Sequence, residues 1–184
     1  MPPRSAEAIF AATLRLLGEH GYEGLTVEGV AREAGVNKTT IYRWWPSKAA
    51  LLSAALTDGE VLALDTPDTG SLRGDLVALV ERVIELLSDP GVQTVVAAIA
   101  GGGRDDELGP LFATFFADRF AREQAIFDRA VERGEVAADL DRLLVIDLLS
   151  GAVWTRVLLR RQVPEPGFAE RAVEVVLSGS CPRP

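Results

Sequence analysis

One stretch of fourteen residues, GVNKTTIYRWWPSK at residues 35–48, concentrates side chains that can bind a polyanion. It holds two tryptophans, a tyrosine, two threonines and the cations Lys38, Arg43 and Lys48. Cations pair with phosphate, hydroxyl groups donate hydrogen bonds to it, and an arginine can bind the edge of a guanine through two bonds. These residue types at this density indicate nucleic-acid binding.

The distribution of charge along the chain is compatible with that interpretation. The 184 residues include 19 Lys and Arg against 27 Asp and Glu, a formal net charge of −8. Residues 1–50 carry six basic and five acidic residues, a net of +1, whereas residues 51–184 carry 13 and 22, a net of −9. An acidic body repels a polyanion everywhere except at the basic end, which orients binding more than it strengthens it.

Helical periodicity predicts the elements that position this stretch. A first helix ends at Gly21, and a second follows Thr26 and ends at Gly35. Asn37 is placed to cap a third helix, which runs from residue 38 to 45. Two short helices joined by a glycine-containing turn are typical of a helix-turn-helix, and both need the first helix to form a shared core.

Steps of about 100° around the third helix divide its side chains between two faces. Ile41 and Trp45 fall on the side that packs into the core. The opposite side and its flanks comprise Lys38, Thr39, Thr40, Tyr42, Arg43 and Trp44. We expect this face to enter the major groove, with Arg43 on a guanine, the Thr39 methyl on a thymine and Tyr42 on a phosphate.

The segment LTVEGVAREAGVNKTTIYRWWPSKAALLSAAL resembles the DNA-binding domain of TetR-family transcriptional regulators, and the similarity covers about residues 5–56. Ile41 and Tyr42 in the third helix, with Lys48 shortly after it, carry the resemblance. It implies contacts to phosphates and bases by Thr26, Lys38, Thr39, Thr40, Tyr42 and Lys48.

Trp44 departs from the family pattern, because many relatives have a cationic residue, another polar residue or a histidine at this position. Two roles are open for its ring. It can stack on the sugar-phosphate backbone of DNA, or it can cover the start of the fourth helix.

The rest of the sequence also predicts helices, without an alternating strand pattern backed by hairpin turns. We expect an all-α protein of about nine helices. A three-helix DNA-binding domain of the helix-turn-helix type occupies residues 1–50, and a C-terminal helical domain for ligand binding and dimerisation occupies residues 51–184. Nine helices, with the last two pairing across a dimer, also fit the usual plan of the resembled family.

An aromatic stripe in the C-terminal part has two interpretations, plain core or the wall of a cavity for a small effector. The residues that would line such a cavity are Val95, Ile99, Phe112, Phe115, Phe116, Phe120 and Trp154. Because few polar residues lie nearby, an apolar or aromatic effector fits best. The fourth helix begins beside the DNA-binding face, so an effector that displaces it would release a repressor from its operator.

The last two predicted helices carry more apolar residues than a terminal pair needs. These residues are Leu148, Val153, Val157, Phe168, Ala172 and Val176. We therefore expect a homodimer, whose two recognition helices would read double-stranded DNA with a near-palindromic operator.

Other functions have little support in the sequence. One histidine and one cysteine offer no catalytic set, metal site or cofactor motif, so we expect no enzyme. Neither a membrane span nor a secretory signal is expected, which predicts a cytoplasmic protein. The alternative is a helical protein-interaction module without a DNA role. Such a module would gain nothing from Thr39, Tyr42 and Lys48, whose side chains are placed to donate hydrogen bonds to phosphate.

Overall fold

The structure, a computed structural model, describes residues 5–101 and 108–178, and it contains no strand in these ranges. Nine α-helices lie there: α1 (Ala6–Gly24), α2 (Val27–Glu33), α3 (Lys38–Trp44), α4 (Lys48–Asp58), α5 (Leu72–Ser88), α6 (Pro90–Gly101), α7 (Leu108–Glu132), α8 (Arg142–Trp154) and α9 (Phe168–Ser178). A 3-10 turn at Glu60–Leu62 follows α4, and a π-helical stretch at Thr155–Leu159 continues α8. The predicted all-α fold is confirmed.

Packing divides the described residues into two compact units. The first unit comprises residues 5–63, 90–101 and 108–118, and the second comprises residues 64–89 and 119–178. The helix α4 packs on α1 within the first unit, so it shares the core of the helix-turn-helix. The predicted functional division between residues 1–50 and 51–184 stays a prediction.

Side-chain caps fix the starts of the short helices in the first unit. Thr26, Asn37 and Ser47 each accept a hydrogen bond from a backbone N–H two or three residues later, at 2.9–3.1 Å. These bonds satisfy amide groups that the first turn of a helix leaves free. Ser5, by contrast, makes no such bond at the start of α1, and that helix is interrupted at Gly21 with φ 67°.

The turn between α2 and α3 depends on Gly35, which has φ 65°. The N–H of Val36 donates to the carbonyl of Ala31 at 2.9 Å, and the N–H of Gly35 donates to the carbonyl of Arg32 at 3.3 Å. This is the Schellman pattern, in which a left-handed residue closes the helix end and a glycine carries no Cβ penalty. The turn therefore sets the direction in which α3 leaves α2.

The core of the first unit gathers around α1, which packs against α2, α4 and α6. Phe10 of α1 meets Trp45 edge to face, with ring centroids 5.2 Å apart. On α1, a Cβ at Gly18 would lie 3.0 Å from the methyl carbon of Thr94 on α6, so the two helices approach closely there. The helix α1 thus contacts both α6 and Trp45, the residue that directly follows α3.

In the second unit, α5 packs against α8 and α9. The buried apolar residues of this unit include Leu76, Val80, Ile126, Phe127, Leu149, Val153, Phe168 and Val173.

An ionic network joins the start of α5 to the end of α7. Asp75 is fully buried, accepts from the N–H and the hydroxyl of Thr69 at 2.5 and 2.8 Å, and lies 3.4 Å from the Arg129 guanidinium.

Candidate nucleic-acid interface

The helix α3 turns two different faces to its surroundings. Ile41 is fully buried and Trp45 is 8 % exposed, whereas Tyr42 is 44 % and Trp44 is 42 % exposed. The periodicity of the sequence predicted this division, and the burial pattern confirms it. Contact between the outer face and DNA stays a prediction.

Arg43 lies at the centre of the outer face and is exposed. Among the described residues it forms no ion pair, in contrast to Arg15, which pairs with both Glu19 and Glu33. A guanidinium presents five donors in a planar fork that matches the O6 and N7 atoms of guanine. Arg43 therefore projects an exposed guanidinium, without an ionic partner among the described residues, from the middle of α3.

Two threonines of this region have hydroxyl groups with different engagements. The Thr39 hydroxyl donates to the side-chain oxygen of Asn37 at 2.9 Å, which leaves its methyl group for an apolar contact with a base. The Thr26 oxygen accepts from the N–H of Gly29 at 3.1 Å, and its own hydrogen remains available for a phosphate. A third threonine predicted to contact DNA, Thr40, is half-buried. Its backbone N–H donates to the Asn37 carbonyl at 2.9 Å in the first turn of α3.

Lys38, which was predicted to contact DNA, is paired with an acid that sequence reasoning missed. Its ammonium lies 3.3 Å from a carboxylate oxygen of Glu28 in the first turn of α2. Two hydrogen bonds hold the pKa of the Glu28 carboxyl below its ordinary value. The larger effect comes from the backbone N–H of Glu28 itself, and the next from the Lys38 ammonium. The sequence offered a signal, since Glu28 follows the cap Thr26 by two residues and must lie near the start of α2.

Lys48, the predicted phosphate clamp at the start of α4, is bound to α1 in this structure. Its ammonium donates to the Tyr22 carbonyl at 2.8 Å and lies 3.8 Å from the centroid of the Tyr22 ring. Both contacts stabilise a cation where α1 ends. Lys48 must exchange at least part of this engagement to contact a phosphate.

The residues predicted to line an effector cavity are divided between the two units. In the first unit, Val95 is buried, Phe112 and Phe115 are half-buried, and Phe116 is exposed. In the second unit, Phe120 and Trp154 are half-buried. The side chain of Ile99 falls outside the described part. A cavity common to these residues stays a prediction.

The six residues predicted for a dimer interface have unequal access to a partner. Val153, Val157 and Phe168 are buried inside the second unit, so they contribute to its own core. Leu148 is 52 % exposed, and Ala172 and Val176 are half-buried. Sequence reasoning missed the apolar residues Leu144 and Val175, which are both more than half exposed, on α8 and α9 respectively.

Metal-binding clusters and membrane-spanning helices are both absent from the described ranges. Residues 5–101 and 108–178 contain no convergent group of three or more His, Cys, Asp or Glu side chains that could hold a metal ion. No helix in the same ranges combines the length and the apolar character required to cross a bilayer.

Known proteins resemble the chain over nearly its whole length. Residues 9–55 match the family of bacterial regulatory proteins, tetR family, and residues 66–176 match the tetracyclin repressor-like C-terminal domain. An uncharacterized HTH-type transcriptional regulator of Mycobacterium tuberculosis is 36% identical over 182 residues, which cover 98% of this chain and 89% of that protein. The DNA-binding transcriptional repressor TetR of Mycobacteroides abscessus is 34% identical over 95% of this chain and 92% of its own.

A solved structure agrees with these sequence relationships. The crystal structure of the TetR family transcription regulator SCO0332 superposes with a TM-score of 0.76 at 31% identity, covering 98% of this chain and 100% of that chain. Both the sequence and the fold of the chain therefore match one family over almost all of its residues.

Proposed function

Since the chain belongs to the TetR family of DNA-binding transcriptional regulators, we propose that it is a homodimeric repressor whose operator is released by a small apolar or aromatic effector. The observation that carries the proposal is the outer face of α3, where Arg43 and Tyr42 are exposed while Ile41 and Trp45 anchor the helix from behind. Because its partner is the chromosome, we expect the protein to act in the cytoplasm of a bacterium.

On DNA, some side chains of this region contact base edges and others contact phosphates. Arg43 and the Thr39 methyl read base edges in the major groove, because a guanidinium fork and a methyl group suit guanine and thymine. Tyr42 and Thr26 donate to phosphates and fix the register of the helix on the duplex. Lys48 adds a phosphate contact once it turns from the Tyr22 carbonyl.

Dimerisation supports this mechanism because one short helix gives little affinity by itself. We propose that Leu144 and Leu148 of α8, with Ala172, Val175 and Val176 of α9, form the dimer face, since these apolar residues remain accessible on helices that pack together. Two symmetry-related copies then present two recognition helices to one duplex. Their spacing must equal one or more DNA turns, roughly 34–36 Å each, which demands a near-palindromic operator.

The packing of the first unit supports a route by which an effector alters DNA affinity. The helix α6 packs on α1 at Gly18, and Phe10 of α1 supports Trp45 directly after α3. An effector that binds best when α6 is shifted would therefore move α1 and the base of α3. Linkage requires that the effector and the operator then weaken each other's binding by the same factor.

The DNA-binding part of the proposal is tested by selecting bound fragments from random DNA and measuring their affinity by fluorescence anisotropy at several salt concentrations. We expect a near-palindromic consensus and a linear fall of log affinity with log salt. Arg43→Ala should lower affinity for the consensus, whereas Arg160→Ala removes an equal charge from an exposed site in the second unit and should not. Failure to recover any consensus would contradict sequence-specific binding.

The dimer is tested by analytical ultracentrifugation at micromolar concentration. Leu148→Glu should shift the protein toward the monomer, because a charge would be buried in the proposed interface. Val163→Glu is the matched control, since Val163 is 83 % exposed and lies in the non-helical segment before α9. Equal sedimentation of the two variants as dimers would refute this interface.

A further inference from the structure

Glu123 is an acid on the buried side of α7 in the second unit. It continues a stripe formed by Ile126, Phe127 and Ala130, all of which are fully buried. The Glu123 side chain is itself only 6 % exposed. Its spacing of three, four and seven residues from these neighbours places the carboxyl on the face that packs inward.

One oxygen of this carboxyl, Oε2, has no hydrogen-bond partner in the structure. Burial raises the pKa of Glu123 to about 7, although the positive charge of Arg119 one turn earlier acts in the opposite direction. A buried polar atom without a partner lowers the stability of the fold, because it has given up its hydrogen bonds to water and gained none in return. The chain thus keeps a destabilising group where an apolar side chain would pack better.

One other buried side-chain atom of the described residues, Arg129 Nε, also lacks a hydrogen bond, but the Arg129 guanidinium bonds to the Pro67 carbonyl and its Nε lies 3.4 Å from an Asp68 oxygen. The remaining buried polar side chains have hydrogen-bond partners. Thr13 is fully buried and donates to the Ile9 carbonyl at 2.7 Å. Asp75 is fully buried and accepts two hydrogen bonds from Thr69. Because both are satisfied within the fold, the vacant bonding capacity of Glu123 points to a partner from outside the chain.

The surroundings indicate the chemistry of that partner. Phe120 lies one turn before Glu123, and its ring is half-buried, so it retains surface for a further apolar contact. A carboxylate in a poorly hydrated position gains most from a cation that brings its own hydrogen-bond donors. A protonated amine meets this requirement, and an apolar or aromatic body attached to it would pack on Phe120.

We propose that Glu123 determines effector specificity by pairing with a protonated amine carried on an apolar or aromatic molecule. This inference rests on the proposed function, which supplies the effector, and it adds the chemical class of that effector. On binding, the Glu123 proton passes to solvent and the carboxylate pairs with the ammonium group. The amine should therefore bind more tightly as the pH rises through 7.

Calorimetric titration of the full chain without DNA tests this inference with two probes of the same skeleton, 4-phenylbutylamine and 4-phenylbutan-1-ol. We expect the wild type to prefer the amine by about tenfold or more, because the ammonium group can form a charge-assisted hydrogen bond that the alcohol cannot. Glu123→Gln, which keeps the shape of the side chain, should abolish that preference. Phe120→Ala should weaken both probes and leave the preference intact.

The pH profile separates direct contact from a structural role. Between pH 6 and 8 the amine affinity of the wild type should rise about tenfold, because the ionised fraction of a group with a pKa near 7 rises by that factor. The single histidine of the sequence, His20, belongs to the first unit. For Glu123→Gln, the affinity should not change with pH.

Two results would overturn the inference. Equal binding of amine and alcohol to the wild type, or absence of binding by both, would mean that Glu123 does not select an ammonium group. An amine preference that persists in Glu123→Gln would place the ammonium elsewhere. Release of the protein from its operator is measured separately by fluorescence anisotropy. If a probe binds in the calorimeter but does not release the operator, the proposed repressor mechanism is refuted, and the calorimetric result for Glu123 still stands.

Discussion

The outer face of α3 and the junction between α5 and α7 differ in how their polar groups are placed, exposed in the first region and buried with hydrogen-bond partners in the second. Arg43 and Tyr42 are exposed on α3, and Arg43 has no ionic partner among the described residues. At the junction, Asp75 is fully buried and bonded to Thr69 and Arg129. Polar groups that the fold satisfies hold it together, whereas those left open are available to another molecule. Substitutions in the two regions should therefore affect different measurements.

The largest effect on stability is expected at one of two adjacent tryptophans. Trp45 faces the core, whereas Trp44 lies on the outer face. Trp45→Ala should reduce the free energy of unfolding by about 3–5 kcal/mol, since it deletes a buried ring and the contact with Phe10. Trp44→Ala should reduce it by less than about 1 kcal/mol, because the ring is 42 % exposed. Urea denaturation of the full chain measures both. Similar losses in the two variants would show that Trp44 also packs as core.

Asp75→Ala is expected to cost about 3 kcal/mol of unfolding free energy, because it strands the Thr69 donors and part of the Arg129 charge. The loss stays at the low end of the range for a broken buried pair, since Arg129 retains Asp68 and the Pro67 carbonyl. Asp68→Ala removes an exposed partner of the same arginine and should cost less than about 1 kcal/mol. DNA affinity should be unchanged in both variants at temperatures where they are folded.

The contrast between the regions also explains how far the sequence could predict the molecule. The caps Thr26 and Asn37 and the turn at Gly35 act within a few residues, so their roles could be predicted from local spacing. The inward orientation of Ile41 and Trp45 followed from helical periodicity for the same reason. These features were sufficient to position the candidate DNA-binding face.

Contacts between distant residues could not be predicted in this way. Asp75 and Arg129 are 54 residues apart, and Lys48 reaches a carbonyl 26 residues earlier, so each contact depends on how helices pack. Periodicity likewise placed Val153 on an apolar face without showing whether that face meets the chain's own core or a partner. Glu123 had a local signal, since it interrupts an apolar stripe, but only the packing reveals an unpartnered oxygen.

Glu123 shares one feature with each region, because it is buried like Asp75, and its Oε2, like the Arg43 guanidinium, has no partner of the kind that Asp75 has among the described residues. Its pKa is raised to about 7, so the folded state binds more protons than the unfolded state between about pH 4.5 and 7. The free energy of unfolding should therefore fall as the pH rises through this window, by at most about 3 kcal/mol, and then level off. Glu123→Gln should lose this component of the pH dependence, which urea denaturation at a series of pH values measures. An unchanged pH profile would show that the carboxyl is ionised and hydrated in the folded protein.

At the α3 face, substitutions should change DNA binding and leave stability nearly unchanged. Arg43→Ala should cost about 1–3 kcal/mol of binding free energy and relax the preference at particular base pairs, because it removes a base-reading fork. Tyr42→Phe deletes one phosphate donor and should weaken binding to all sequences similarly. Anisotropy titrations with a set of single-base operator variants measure both patterns. An even loss across the set for Arg43→Ala would assign that residue to the phosphates.

The smallest effect should come from the ion pair beside the DNA-binding face. Glu28 and Lys38 are both exposed, so their attraction stabilises the fold by at most about 1 kcal/mol, and Glu28→Gln should scarcely change the urea midpoint. The substitution removes a negative charge next to the phosphates and frees the Lys38 ammonium, so we expect DNA affinity to increase severalfold at low salt. The gain should shrink as salt rises, because screening weakens the repulsion that Glu28 exerts on DNA. Glu132→Gln, an equal charge change at an exposed site in the second unit, is the control. Lower affinity in Glu28→Gln would instead mean that the carboxylate positions Lys38 for its contact with DNA.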